Sequence, residues 1–232
     1  MTKPLLLLID SSNQQCSIAL SEGDQIVASA DAIEPGSYIH AEQLHVLIQE
    51  VMTHHAFDKL DGIVISNGPG SYTGLRIGMS SAKGLAYALD IPLMAVSTLQ
   101  CIAMGALKAA SDGGFQGIWA AMDARRMEVY GAQFDQLGQR LTDDEAIVIE
   151  GGELPSEITW LGVGNGVDKC LDLLPNLQAG SLKQPHAKDL LQPALMSWKQ
   201  QAFEDIHSLE PNYIKDFVTG KPKIGLPNRQ GR

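Results

Sequence analysis

A Gly-Pro-Gly loop between a β-branched run and a helix of small residues constrains this chain most. Ile63 to Ser66 reads as a short strand, and Asn67-Gly68-Pro69-Gly70 can be neither helix nor ladder. A helix follows from about Thr73 to Leu89, Pro92 marks its exit, and Leu93 to Val96 reads as the next strand. Ser71 or Thr73 can cap this helix, whose free N–H groups face the loop as a ready anion site. It is not a P-loop, because no Gly-Lys-Ser/Thr follows.

Three strands precede this unit. Leu5 to Ile9 is a continuous apolar run that ends in Asp10, which fits a buried strand. Ser17 to Leu20 and Gln25 to Ala30 are joined by a turn at Glu22-Gly23-Asp24. Pro35-Gly36-Ser37 is a breaker, and His40 to His54 has helical spacing, with Ala41, Leu44, Leu47, Ile48, Val51 and Met52 on one side. A third helix, Leu99 to Ala110, is closed by Asp112-Gly113-Gly114. The order β-β-β-α-β-α-β-α predicts an α/β fold, a mixed sheet with helices on its faces. It resembles one lobe of the actin-like, ribonuclease-H-like architecture.

The second half restarts with strands at Gly117 to Ala121, Glu128 to Phe134, Ala146 to Ile149 and Trp160 to Val163, and with helices at Val167 to Leu174 and Ala187 to Gln201. This predicts a second, degenerate copy of the lobe. The lobes divide as 1–110 and 115–232, with the linker near Ser111 to Gly114 and the last helix free to return to the first lobe.

Charge limits the partners. The 232 residues carry 27 acids and 17 bases, a net of −10, which argues against a stand-alone nucleic-acid binder because Lys and Arg drive that binding. From Pro211 onward, Lys215, Lys221, Lys223, Arg229 and Arg232 face only Asp216, a net of +4 against −14 elsewhere. This tail is either a frayed terminus or an arm for an acidic partner or RNA, so direct RNA contact is sought after Pro211. Cys16, Cys101 and Cys170 are far apart and form no CxxC, which fits a reducing compartment and hence the cytoplasm. No signal peptide or membrane-spanning run is read.

Few segments carry chemistry. Asp10-Ser11-Ser12 enters the first hairpin; it either hydrogen-bonds its own turn or approaches a phosphate, although the usual Gly is missing. Gly74, Gly78, Ala82 and Ala86 form a small stripe, with Ser81 and Gly84 adding further small positions; an internal helix or another subunit could approach it, and Arg76 and Lys83 flank it and could pair with an acidic partner. Asp123-Ala124-Arg125-Arg126-Met127-Glu128 is either a salt-bridged hairpin or a second-lobe counterpart that sets Asp123 facing Asp10. The six histidines lack metal-ligand spacing and read mostly as surface residues. Gly162, Gly164 and Gly166 give GxGxG rather than GxGxxG, and no GxSxG occurs.

Several stretches together resemble the TsaB (YeaZ) family. They are Leu6-Leu7-Leu8-Ile9-Asp10-Ser11-Ser12, His40-Ala41-Glu42-Gln43-Leu44, Ser66 through Gly78, Lys83-Gly84-Leu85-Ala86, Asp123 through Tyr130, and Pro211-Asn212-Tyr213-Ile214-Lys215. The resemblance implies a two-lobed actin-like (ASKHA) fold with mixed sheets flanked by helices. It implies a subunit of the machinery that makes threonylcarbamoyladenosine at position 37 of tRNAs, paired with a metal-bearing catalytic paralogue, TsaD, and an ATPase, TsaE. The paralogue's HxxxH pair falls here on Thr98 and Ile102, neither of which supplies an imidazole. Expected is therefore a non-catalytic scaffold without metal or cofactor of its own, with ATP or ADP acting at the level of the complex. Such a chain homodimerises when alone and meets tRNA through the complex. The resemblance assigns the partner surface to the first-lobe helices. The interface candidates are His40, Leu44, Leu47, Ile48, Val51, Gly74, Arg76, Ile77, Gly78, Ser81 and Ala82, and the cleft candidates are Asp10, Ser11, Ser12 and Asp123. The alternative is an independent actin-like enzyme, a small-molecule kinase or a peptidase.

Overall fold

The computed structural model describes residues 3–34 and 39–215. The Pro35-Gly36-Ser37 breaker and the basic positions from Lys221 onward lie outside them. Two five-stranded sheets share one plan. The first has the order β3-β2-β1-β4-β5, from β1 (Leu5–Asp10), β2 (Cys16–Glu22), β3 (Gln25–Ala32), β4 (Gly62–Ser66) and β5 (Leu93–Val96). The second runs β8-β7-β6-β9-β10, from β6 (Gly117–Asp123), β7 (Glu128–Asp135), β8 (Glu145–Val148), β9 (Trp160–Val163) and β10 (Leu177–Ala179). In both, the first three strands pair antiparallel, and the last two add in parallel on the other side of the first. The repeated order is that of a two-lobed actin-like α/β fold with mixed sheets flanked by helices.

Among the described residues four α-helices cover the sheets: α1 (His40–Val51), α2 (Tyr72–Leu89), α3 (Thr98–Asp112) and α4 (Leu191–Gln200). Leu5, Leu7 and Ile9 of β1 pack with Leu44, Ile48 and Val51 of α1 and Met79, Ala82 and Ala86 of α2. Leu6 and Leu8 point the other way, into a layer with Val64, Met94, Leu190, Leu191 and Ala194. Burial on both faces is why β1 reads as an unbroken apolar run. Helix α4 thus returns to the first sheet. Helix α3 does the reverse, placing Leu99, Ile102, Ala103 and Ala106 against Ile118, Ala120, Phe134 and Leu161 of the second sheet. No helix among the described residues is long and apolar enough to cross a membrane.

The second lobe departs from expectation in its helices. Val167 to Leu174 forms only a 3-10 turn at Val167–Lys169, because the Gly166 amide is tied to Ala121 and Pro175 ends the segment. Val167, Cys170 and Leu174 still face the core around Trp119 and Trp160. Ala187 to Gln201 splits into a 3-10 turn (Ala187–Leu190) and α4, with Pro193 in the first turn, where no N–H is needed. Strand β10 carries one buried side chain, Leu177, and is held by its ladder to β9, so hydrophobic patterning does not reveal it. The Ser111–Gly114 linker is partly helical, since α3 runs to Asp112.

Candidate functional site

The Asp10 turn is closed. Asp10, Ser11 and Ser12 have no exposed surface. Asp10 accepts from the Ser12 amide (3.3 Å) and hydroxyl (3.1 Å), so its carboxylate serves its own turn. Burial pushes the Asp10 carboxyl up to about 6, opposed by the neighbouring Ser66 and Ser12 groups and by His186.

The Gly-Pro-Gly helix start is filled from within. Ser71 caps α2 by accepting from the Gly74 amide at 3.2 Å, and the Ser71 amide donates to the Ser12 carbonyl at 2.6 Å. The Ser11 hydroxyl donates to the Gly74 carbonyl at 2.9 Å. A Cβ on Gly74 would lie 2.2 Å from the Ser11 carbonyl oxygen, and one on Gly78 would lie 2.0 Å from the Ser11 Oγ. The small stripe therefore accommodates the first hairpin of this same chain. Two of the amides that an anion at this helix start would use, those of Ser71 and Gly74, are therefore taken by Ser12 and Ser71 of this chain.

The expected pairing of Asp10 with Asp123 across a cleft does not form. Asp10 lies on the α4 face of the first sheet, beside Leu6 and Leu8. Asp123 has the parity of Trp119 and Ala121, so it lies on the face of the second sheet opposite α3. It is half-exposed, pairs with Lys169 and accepts from the Arg125 amide at 2.6 Å. Burial works against its ionisation, yet Lys169 and the Arg125 amide hold its carboxyl below the ordinary value. The acids of this hairpin are salt-bridged to lysines from elsewhere, Asp123 to Lys169 and Glu128 to Lys215, and not to Arg125 or Arg126. Thr98 and Ile102 are fully buried, and among the described residues no His, Cys, Asp or Glu group could hold a metal ion.

The partner-surface residues divide sharply. His40, Leu44, Leu47, Ile48, Val51, Gly74, Gly78 and Ala82 are buried in this chain's own core, which corrects their assignment to an interface. Their apolar spacing reflects the side of each helix that meets the sheet. His40, read with the surface histidines, bonds the Gln15 carbonyl at 3.3 Å, and burial lowers its pKa. Ile77 is half-buried against the core, Ser81 lies 3.3 Å from His45 of α1, and Arg76 is exposed.

A different stripe faces outward on α2: Arg76, Ser80, Gly84 and Tyr87, all exposed and one turn apart. Among the described residues nothing lies within 4 Å of a Cβ on Gly84. Tyr87 is 72% exposed and Val46 of α1 is 53% exposed, large apolar side chains that the monomer leaves in water. Sequence reasoning missed the groups that hold Arg76. Its guanidinium stacks 4.4 Å over the Tyr72 ring, and its Nε donates to the Tyr213 hydroxyl at 3.3 Å. Tyr72 is one helical turn earlier and was legible by spacing; Tyr213 is 137 positions away and was not. Tyr213 belongs to a terminal strap fixed by Asn212 N–H to the Asn67 carbonyl (2.7 Å) and by Lys83 to the Leu209 carbonyl (2.9 Å).

Comparison with known proteins agrees with this layout. The family model described as TsaD, tRNA N6-adenosine threonylcarbamoyltransferase, matches residues 34–150. The Escherichia coli K12 tRNA threonylcarbamoyladenosine biosynthesis protein TsaB is 28% identical, over 95% of this chain and 98% of that protein. The Bacillus subtilis 168 protein of the same name is 30% identical, over 90% and 93%. A Pseudomonas aeruginosa crystal structure, described as similar to peptidase YeaZ, superposes with a TM-score of 0.79 at 29% identity, covering 91% of this chain and all of that one. The chain belongs to this family, on its TsaB (YeaZ) branch.

Proposed function

We propose that the chain is a non-catalytic subunit of tRNA threonylcarbamoyladenosine biosynthesis, acting by docking a TsaD-like catalytic paralogue on the outward face of α1 and α2. Family membership ties it to that pathway. The observation that carries the docking role is Gly84. A glycine at an exposed position inside a helix costs about 1 kcal/mol against alanine, and no contact among the described residues requires it. Close approach of another helix would use it, and Val46 of α1 and Tyr87 of α2 leave apolar surface exposed on the same two helices. The same face serves a homodimer when the paralogue is absent. A TsaE-like ATPase then binds the heterodimer, ATP or ADP acts at the level of that complex, and tRNA is met through it. The cytoplasm is the compartment of this work. An independent kinase would need an open phosphate turn, whereas Asp10, Ser11 and Ser12 are buried.

Gly84→Leu should weaken binding to the TsaD-like subunit by roughly 100-fold in calorimetry, with the melting temperature of the free chain unchanged or higher. Unchanged affinity would remove this face from the account. Gly78 and Ala82 cannot serve, because substitutions there report on folding.

A further inference from the structure

Between α2 and the terminal strap lies a cavity of about 230 Å³ whose lining includes Arg76, Ser80, Lys83, Glu210 and Tyr213. It is a cationic spot on a chain of net charge −10. Both cations are held from behind. Arg76 is stacked on Tyr72, and the hydroxyl of Tyr213, whose ring lies 5.1 Å from that of Tyr72, accepts a hydrogen bond from its Nε. The Lys83 ammonium spends one donor on the Leu209 carbonyl. The two terminal nitrogens of Arg76 have no hydrogen-bond partner among the described residues, and neither cation forms an ion pair with Glu210. A guanidinium with its plane fixed and its outer edge open is prepared for a planar, two-oxygen acceptor. It also stands at the N-terminal end of the Arg76, Ser80, Gly84, Tyr87 stripe.

We infer that this cavity receives an acidic side chain of the subunit that docks on α2, its carboxylate bridging Arg76 and Lys83. The inference rests on the docking role proposed above and adds the chemistry of its anchor. Arginine and tyrosine are the side chains that most often dominate protein interfaces, and a desolvated pair between fixed groups sets register as well as affinity. Glu210 competes for the same cations from within.

Calorimetry with the full chain and the full TsaD-like subunit, at low and high salt, tests this. Arg76→Gln should weaken binding by roughly 30-fold at low salt and flatten the salt dependence. Arg76→Lys should restore only part of the affinity, since the two-point contact is lost. Glu210→Gln should tighten binding a few-fold by removing the internal competitor. Circular dichroism should show each variant folded. If Arg76→Gln binds like the wild type while Gly84→Leu does not bind, docking stands and the acidic anchor is wrong. If Glu210→Gln and Arg76→Gln lower the melting temperature equally and leave affinity alone, the cavity serves the strap only and the inference fails. If Arg76→Gln disperses a homodimer and leaves paralogue affinity unchanged, the occupant is a second copy and the inference also fails. If the wild-type chain does not bind the paralogue at all, the docking role falls with it.

Discussion

Gly74→Ala should lower the melting temperature of the isolated chain by roughly 10 °C, while Gly84→Ala, on the same helix, should raise it by about 2 °C. The added Cβ at Gly74 would sit 2.2 Å from the Ser11 carbonyl oxygen, and a backbone atom cannot rotate away. Either the hairpin or the helix must shift, which endangers the Ser11 hydroxyl bond to the Gly74 carbonyl and the Ser71 amide bond to Ser12. Overpacking of this kind costs about 3 kcal/mol, and each kcal/mol moves a chain of this size by about 2–4 °C. Gly78→Ala should cost less, because the obstructing Ser11 Oγ belongs to a side chain that can turn. Gly84→Ala meets nothing among the described residues and gains helix propensity. Scanning calorimetry of the three variants checks the order. A neutral Gly74→Ala would contradict the packing of the first hairpin against α2.

Asp10→Asn should stabilise the chain at pH 8 and remove part of its pH dependence. The Asp10 carboxyl has an ordinary value of 3.8 and is pushed to about 6 in the fold by burial. The native state therefore keeps a proton that the unfolded chain has released. The stability tied to that proton is complete below about 3.8 and is lost as pH rises through about 6. The loss is about 3 kcal/mol at most, from the size of the shift. Burial also raises Asp189, in the same direction, so the informative quantity is the difference between wild type and variant. Urea unfolding at pH 4 and pH 8 measures it. Asparagine should be roughly neutral at pH 4 and more stable than wild type at pH 8. A variant destabilised at pH 8 would mean that the ionised carboxylate is needed, as an open phosphate or metal turn requires.

The first lobe was almost wholly legible in the sequence, and the reasons are local. A short apolar run that ends in a carboxylate, Leu5 to Asp10, fits a buried strand, and the structure makes it the central one. Of the two cap candidates in the loop, Ser71 and Thr73, the structure uses Ser71. The second lobe was legible where Trp119, Phe134 and Trp160 fill a core, and illegible where the backbone alone holds an element, as at β10. The site was misread for one physical reason. Helical spacing identifies a face that must be covered, and Leu44, Ile48, Gly78 and Ala82 are covered by this chain itself. The proposed docking face is instead marked by departures that spacing does not weigh: a glycine with nothing against it among the described residues, a tyrosine left in water, and an arginine held by a tyrosine 137 positions away.

On the proposed reading the chain acts through its α1/α2 face and not through the Asp10 turn. Threonylcarbamoyl transfer to tRNA by the TsaD-like subunit, its ATPase and the threonylcarbamoyl adduct tests it most directly, with the wild-type chain, with Asp10→Asn, with Gly84→Leu and with none added. Product should form with the wild type and equally with Asp10→Asn, and should fall to the level without the chain for Gly84→Leu. Full turnover without the chain, or loss with Asp10→Asn and retention with Gly84→Leu, would contradict the account.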